Sequence, residues 1–389
     1  MTTPQPLGSS YAYIPELDGL RAVSILLVVV SHAGLGGIVP GGFGVTLFFG
    51  ISGFIITRLL LAEWAATGRI DFGAFYLRRA VRLYPALLAF IALSCLALLW
   101  FRVPLHPGEL VSALFYGANY YRVWIGFSTV VPSIPSPFGV LWSLAIEEHF
   151  YLLFPLFLVL ALRRGGFVLW VGLLILASLA WRLVMRTGCM PGGSFEGSLA
   201  LCGISVTERI YASTDTRLDA LLVGCLLAWL AGRARAPWVT AVLRHPGSAV
   251  LAVLMVLGSL LYRDPFFRDT WRYSVQSVAI LFGLGALLFS PALGWARALL
   301  SRPPMLLIGR MSYVLYLTHW LALVLACEYT GVTVPEELAP AAWYLVYLPV
   351  TAVLTAALYW GIEKPAARLR RRLRHEGAPD RSRAVPAVP

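Results

Sequence analysis

The chain has 389 residues, 59% of them hydrophobic and only 13% charged, with a mean hydropathy of +0.77. A soluble core has no use for so much apolar surface, so the composition predicts an all-α membrane protein and leaves no room for a large soluble domain. The 31 basic and 19 acidic residues give a net charge of +12; nearly all the bases are arginines gathered in short loops and the tail, where membrane charge bias accounts for them without nucleic acid.

Ten apolar runs, at about 20 to 38, 43 to 63, 84 to 102, 140 to 162, 166 to 185, 216 to 231, 247 to 262, 273 to 290, 305 to 327 and 342 to 362, are each read as a span of about 30 Å of hydrocarbon at about 1.5 Å per residue. A cytoplasmic N-terminus puts Arg69, Arg78, Arg79, Arg82, Arg163, Arg164, Arg233, Arg235, Arg244, Arg297 and Arg302 inside, together with the tail arginines Arg368, Arg370, Arg371, Arg372 and Arg374. An even number of spans returns the tail to the same side. The expected division is a cytoplasmic N-terminal tail over 1–15, a transmembrane domain over 16–365 and a basic cytoplasmic tail over 366–389, with disorder over 375–389. The first run carries Ser31 and His32 and leads into a glycine-rich hairpin rather than a cleavage site, so it reads as a retained helix and not a signal peptide. The longest outer connections, about 103 to 139 and 186 to 214, suit partly ordered loops capping a site. No tandem or inverted repeat is visible.

The cysteines Cys95, Cys189, Cys202, Cys225 and Cys327 show no metal-binding spacing, and no metal is expected. Cys189 and Cys202 share an outer loop, where a disulfide and two free thiols are both ordinary.

Several ionisable residues interrupt the apolar runs, and at membrane depth these are costly unless they face protein or water. In Pro15-Glu16-Leu17-Asp18-Gly19-Leu20-Arg21, followed by His32, the guanidinium and imidazole lie three helical turns apart on one face, separated by about 16 Å along the axis. We read both as facing a wet cavity. The stretch Gly41 to Phe54, with Ser52, spaces small residues for close packing or a ligand. Phe75 to Pro85 places Arg78, Arg79 and Arg82 just inside the membrane, where they either anchor the span or fork onto phosphate oxygens. Trp142 to Tyr151 holds Glu147, Glu148 and His149; a helix dipole accounts for one carboxylate, and a polar pocket or a carboxylate orienting an imidazole accounts better for all three. Ser213 to Gly224 brings Asp215, Arg217 and Asp219 together, as an internal salt bridge or as partners of His32. Gly309 to Trp320 puts a second imidazole, His319, at depth. Trp124, Tyr120, Tyr121, Trp271 and Tyr273 read as interfacial anchors, with an outer sugar platform as the alternative.

Taken together these blocks resemble the integral-membrane acyltransferase-3 proteins, which modify polysaccharides, lipopolysaccharides, Nod factors, peptidoglycan and some macrolides. Arg21 and His32 match the signature Arg/Lys, ten residues, His, and Gly44 to Phe54, Phe75 to Pro85, Trp142 to Tyr151, Thr214 to Gly224 and Ser312 to His319 match further blocks in order. The chain departs from the pattern at Thr46, where Asp or Glu is usual, at Gly50, and at His149, where Gln is frequent. The resemblance implies ten helices in the bacterial inner membrane with both termini cytoplasmic. It implies transfer of an acyl group, acetyl foremost, from acyl-CoA to a hydroxyl of a carbohydrate or glycoconjugate such as an exopolysaccharide or lipopolysaccharide. Acyl-CoA is then a co-substrate and no cofactor is permanently bound. The partners are the lipid bilayer, the glycan acceptor and polysaccharide assembly machinery, and no nucleic acid. The C-terminal hydrolase-like domain of some members is expected to be absent.

The expected roles follow. Arg78, Arg79 and Arg82 hold the donor phosphates, and Arg21 guides the pantetheine or stabilises developing charge. His32 is general base or acyl relay, with Glu147, Glu148 and Asp215 setting its tautomer and charge; Ser52, Asp215, Arg217, Asp219 and His319 line the cavity or contact the acceptor. The competing reading is a transporter or flippase exporting a sugar or small metabolite, since buried charges also mark translocation paths.

Overall fold

A computed structural model describes residues 13–127, 129–131, 134–232, 237–335 and 337–369; most of the two expected tails, including the disorder expected over 375–389, lies outside the described residues. Ten helices follow the ten apolar runs in order: α1 Pro15–Val30, α2 Gly41–Thr67, α3 Phe72–Trp100, α4 Trp142–Arg164, α5 Phe167–Gly188, α6 Thr214–Gly232, α7 Pro246–Leu261, α8 Trp271–Phe289, α9 Pro303–Thr330 and α10 Ala341–Leu358. Eight are long and apolar enough to cross a membrane by length and composition. The other two are α6, which carries three charged residues at its start, and α7, which has 16 residues. The fold is an all-α membrane bundle, and its one described pair of strands, Thr129–Val131 with Ile134–Pro135, is a short antiparallel ladder.

Local chemistry sets the helix ends. Pro15 suits the first position of α1, and Glu16 and Asp18 complement its dipole. The Asp71 side chain caps α3 by accepting from the Ala74 N–H at 2.9 Å. Gly68 and Gly331, both at φ +69°, close α2 and α9 in the left-handed conformation. α1 ends in a widened π turn, Ser31–Leu35, in which Gly34 takes φ +89°; such turns interrupt a regular helix and often mark a functional position, and this one holds His32.

The bundle is apolar outside as well as inside. On α4, Leu152, Leu153, Leu156 and Leu160 are all exposed, a stripe that water would not tolerate and lipid does. With no hydrophobic drive between helices in lipid, close approach comes from small residues. A Cβ on Gly53 of α2 would lie 1.9 Å from the Leu221 carbonyl oxygen of α6, and one on Gly224 2.1 Å from that of Gly50. The glycines of the Gly41 to Phe54 stretch thus serve helix packing here. α1 and α9 meet in the same way, where a Cβ on Gly309 would lie 1.9 Å from the Asp18 carbonyl oxygen.

The connection expected to cap the bundle over 103 to 139 instead turns back into it. Two short helices, Pro107–Leu114 and Ala118–Trp124, flank Tyr116, which holds φ +54°. The Tyr116 ring meets Tyr84 edge-on at 5.7 Å, and Tyr84 Oη donates to the Leu114 carbonyl at 3.5 Å. Tyr84 lies about 24 Å from the end of α3 at Trp100, counting about 1.5 Å per residue, so this segment is re-entrant. In the 186 to 214 connection, Cys189 and Cys202 form a disulfide, with Cα atoms 5.6 Å apart.

Candidate active site

Arg79 and Arg82 of α3 lie three residues apart and so share a helical face. That face looks into a cleft of about 550 Å³, open space included, lined also by Arg21 of α1, Ser52 of α2, Glu147 and Glu148 of α4, Tyr116 and Tyr313. The Arg79 guanidinium lies 3.5 Å over the Tyr151 ring, a cation–π contact, and Ser52 Oγ donates to Glu147 Oε1 at 2.9 Å. A second space of about 430 Å³ shares Arg21, Ser52, Glu147 and Tyr313 with the first and adds Ser143, Ser312 and Tyr316. The two adjoin across these shared residues and make a passage that begins at the arginines and ends at Tyr316, its second part more apolar, with Val45, Phe48 and Phe49 in the wall. Three guanidiniums against two carboxylates leave its walls cationic. Arg78 is turned away from the passage, toward Glu63 at 3.5 Å.

Tyr316 is held rigidly: its hydroxyl donates to the Val140 carbonyl at 2.8 Å and accepts from Ser143 Oγ at 2.6 Å. One turn further along α9, His319 lies 5.6 Å from the Tyr316 ring, is fully buried, and meets His32 with Nε2 and Nδ1 3.1 Å apart. The two imidazole planes lie within 11° of each other with centroids 5.3 Å apart, the near-coplanar arrangement of an in-line ring-to-ring hydrogen bond, and Trp320 closes on His32 edge-on at 4.8 Å. The Trp320 indole N–H donates to the Ser136 carbonyl at 3.1 Å, and Tyr344 Oη donates to the Ala33 carbonyl at 2.7 Å, fixing the turn that carries His32. Arg21 therefore lines the passage directly, whereas His32 lines neither space and sits beyond Tyr316, half-buried against His319.

The acidic cluster of α6 falls elsewhere. Asp215 is gripped by Arg209 at 2.8 and 2.6 Å and by the Trp181 indole N–H at 2.7 Å. Asp219 takes Arg182 at 2.8 Å and Ser274 at 3.0 Å. Neither carboxylate pairs with Arg217 or His32, and neither lines the passage. Arg217 donates to Thr46 Oγ1 at 3.0 Å and lies 4.0 Å over the Tyr273 ring, which is buried and so forms no outer platform. His149 bonds Thr214 Oγ1 at 2.7 Å and stacks on Tyr120, which stacks in turn on Trp124 at 4.8 Å. Trp271 is exposed and Tyr121 packs on Phe127 at 5.2 Å. The expectation that Glu147, Glu148 or Asp215 orients the His32 ring is replaced by the contact with His319.

Sequence reasoning passed over Tyr313 and Tyr316, although with His319 they recur every three residues on one face of α9, a legible signal. It also passed over Arg182 and Arg209, the cations that neutralise α6.

Residues 14–363 match the acyltransferase domain family. The chain belongs to that family. It is 32% identical over 368 residues to YrhL of Bacillus subtilis, whose name refers to peptidoglycan O-acetylation, covering 91% of this chain and 55% of that protein. It is 31% identical over 371 residues to the O-acetyltransferase OatA of Staphylococcus aureus, covering 91% of this chain and 57% of that one. The chain thus spans little more than half the length of these relatives. No solved structure shows significant similarity to it.

Proposed function

We propose that this protein is an O-acetyltransferase of the bacterial inner membrane, with both termini cytoplasmic, which carries acetyl from acetyl-CoA to a hydroxyl of an envelope glycan of the peptidoglycan kind. The observation that carries the reading is the cationic passage running from Arg21, Arg79 and Arg82 up to Tyr316, directly beneath the His32–His319 pair. Guanidinium groups suit the phosphates of a coenzyme A thioester, which they grip with charge-assisted hydrogen bonds. Arg21 is about 9 Å into α1 and His32 about 25 Å, at about 1.5 Å per residue, so a donor held at the arginines points its thin pantetheine arm toward the imidazoles. The acceptor approaches from the opposite face, from which the re-entrant segment dips into the bundle and on whose side Arg122 of that segment pairs with Glu208 at 2.6 Å.

In this scheme His32 Nε2 takes the proton of the acceptor hydroxyl as its oxygen attacks the thioester carbonyl. The carbon–oxygen bond forms and the carbon–sulfur bond breaks. The leaving thiolate recovers the proton from His32, which balances the reaction. Arg21, about 16 Å from His32 along α1 at about 1.5 Å per residue, is too far from that carbonyl to stabilise its charge and instead guides the pantetheine arm. The names of the relatives support acetyl and peptidoglycan as cargo and acceptor.

Membranes holding the protein, given labelled acetyl-CoA and peptidoglycan fragments, should place label in alkali-labile ester linkage on the glycan. His32→Ala should abolish the label while the protein still reaches the membrane. Retained labelling in that variant removes His32 from the reaction, and label that moves across sealed vesicles without forming an ester makes the protein a carrier.

A further inference from the structure

His319 is the second buried imidazole, and its hydrogen bonds fix more than its own position. Its Nδ1 lies 3.1 Å from the carbonyl oxygen of Leu315, one turn back along α9. A carbonyl can only accept, so Nδ1 must carry the proton. In a neutral ring the lone pair is then on Nε2, which faces His32 Nδ1 at 3.1 Å. That leaves one arrangement for the contact: His32 donates from Nδ1, and its own lone pair is on Nε2. Neutrality of the pair follows from the surroundings. His319 is fully buried, the rings around the pair are Trp320 and Tyr316, and no carboxylate is bonded to either imidazole among the described residues. A resting imidazolium there would lose its hydration with no counterion in return.

We infer that His319 is a positioning residue that locks His32 in the Nδ1–H tautomer, presenting the Nε2 lone pair as the base. This rests on the acyl-transfer reading for its consequence, but not for its geometry. When His32 Nε2 takes a proton from the acceptor hydroxyl, its Nδ1–H bond to His319 becomes charge-assisted and therefore stronger. The chain Leu315 carbonyl, His319, His32 thus does with a peptide oxygen and a neutral ring what a buried carboxylate does in other histidine bases, orienting the ring without a standing charge in the membrane. The near-coplanar alignment of the two rings, 11° between planes, keeps the hydrogen bond in line, and the edge contact of Trp320 restrains the His32 ring from flipping.

The test is nitrogen NMR of the full-length protein, labelled at histidine, in lipid nanodiscs, with the His32 signals assigned by their loss in His32→Gln. The expected wild-type spectrum shows His32 neutral, protonated at Nδ1 and bare at Nε2. A His32 protonated at Nε2, or at both nitrogens, overturns the inference, and this measurement needs no variant of His319 to fold. His319→Ala should release the lock, giving a mixture of His32 tautomers, and should lower kcat at least about tenfold, the usual scale for a residue orienting a functional imidazole, with KM for acetyl-CoA unchanged because His319 lines neither part of the passage. His319→Gln, whose amide oxygen can still accept from His32 Nδ1, should restore both the single tautomer and most of kcat. Loss of activity with the His32 tautomer unchanged in His319→Ala would also overturn it. If the tautomer is as stated and no preparation makes any ester, the acyl-transfer reading fails and the positioning role stands.

Discussion

Two clusters of charge lie within the bundle, and both are built from arginines and carboxylates. On the α5 and α6 side, Arg182 meets Asp219 and Arg209 meets Asp215, and Arg186 meets Asp269 at 3.0 Å. Arg182 and Asp219 are 0% and 1% exposed. On the α3 and α4 side, Arg21, Arg79 and Arg82 share a cleft with Glu147 and Glu148, and open space separates the walls. The first cluster consumes its charges in pairs and seals the Arg182–Asp219 pair completely, and the second leaves an excess of cation facing a space large enough for a ligand. A buried ion pair is expensive to assemble and more expensive to break, so the paired cluster belongs to stability. The cleft, with three guanidiniums and two carboxylates around open space, is where the proposed donor would bind.

The contrast can be broken first on the paired side. Asp219→Ala leaves Arg182 buried without its carboxylate and should destabilise the bundle by roughly 3–5 kcal/mol, seen as a large drop in the thermal midpoint in detergent; an unchanged midpoint would mean that the pairing carries no stability. On the cleft side, Arg82→Ala should remove one charged hydrogen-bond donor to the donor phosphates, a loss of about 1.5–3 kcal/mol that raises KM for acetyl-CoA roughly 10–150-fold. Thr46→Asp should give Arg217 a carboxylate at the position of its present 3.0 Å hydroxyl contact. The exchange should raise the thermal midpoint by an amount corresponding to about 1 kcal/mol, and a lower midpoint would show that Tyr273 and Thr46 already satisfy the cation. The smallest effect is expected at Arg78→Ala, which breaks only the partly exposed contact with Glu63, worth about 0–1 kcal/mol, and should leave KM unchanged although Arg78 adjoins Arg79.

Arg78 and Arg82 also show where the sequence stops being informative. Four residues apart, they could share a face by helical period alone; which arginines reach the cleft depends on the rotation of α3 against α4 and α9, fixed by contacts such as the Tyr313 hydroxyl donating to the Leu83 carbonyl at 3.0 Å. The spans themselves were readable, since the need to satisfy backbone groups in lipid turns a long apolar run into a helix. The re-entrant helices were not, because eight and seven residues of mixed composition carry no span signal. His32 and His319 were each visible as imidazoles at depth, but their meeting joins residues 287 apart in sequence and follows from packing alone. The carboxylates of α6 were visible too; Arg209, six residues before Asp215, was within local reach, but Arg182, the partner of Asp219, comes from α5 and only the folded chain brings it near.

The seam between α1 and α9, where a Cβ on Gly309 would collide with the Asp18 carbonyl, has a mechanical consequence. Bilayers differ in thickness, and helices respond by tilting. Two rods tied here and again by the 3.1 Å contact of their imidazoles lean together, so the spacing between those imidazoles stays constant while the surrounding lipid varies. A cell that remodels its fatty acids with temperature would then alter the pitch of the bundle and leave the registry of its reacting groups intact.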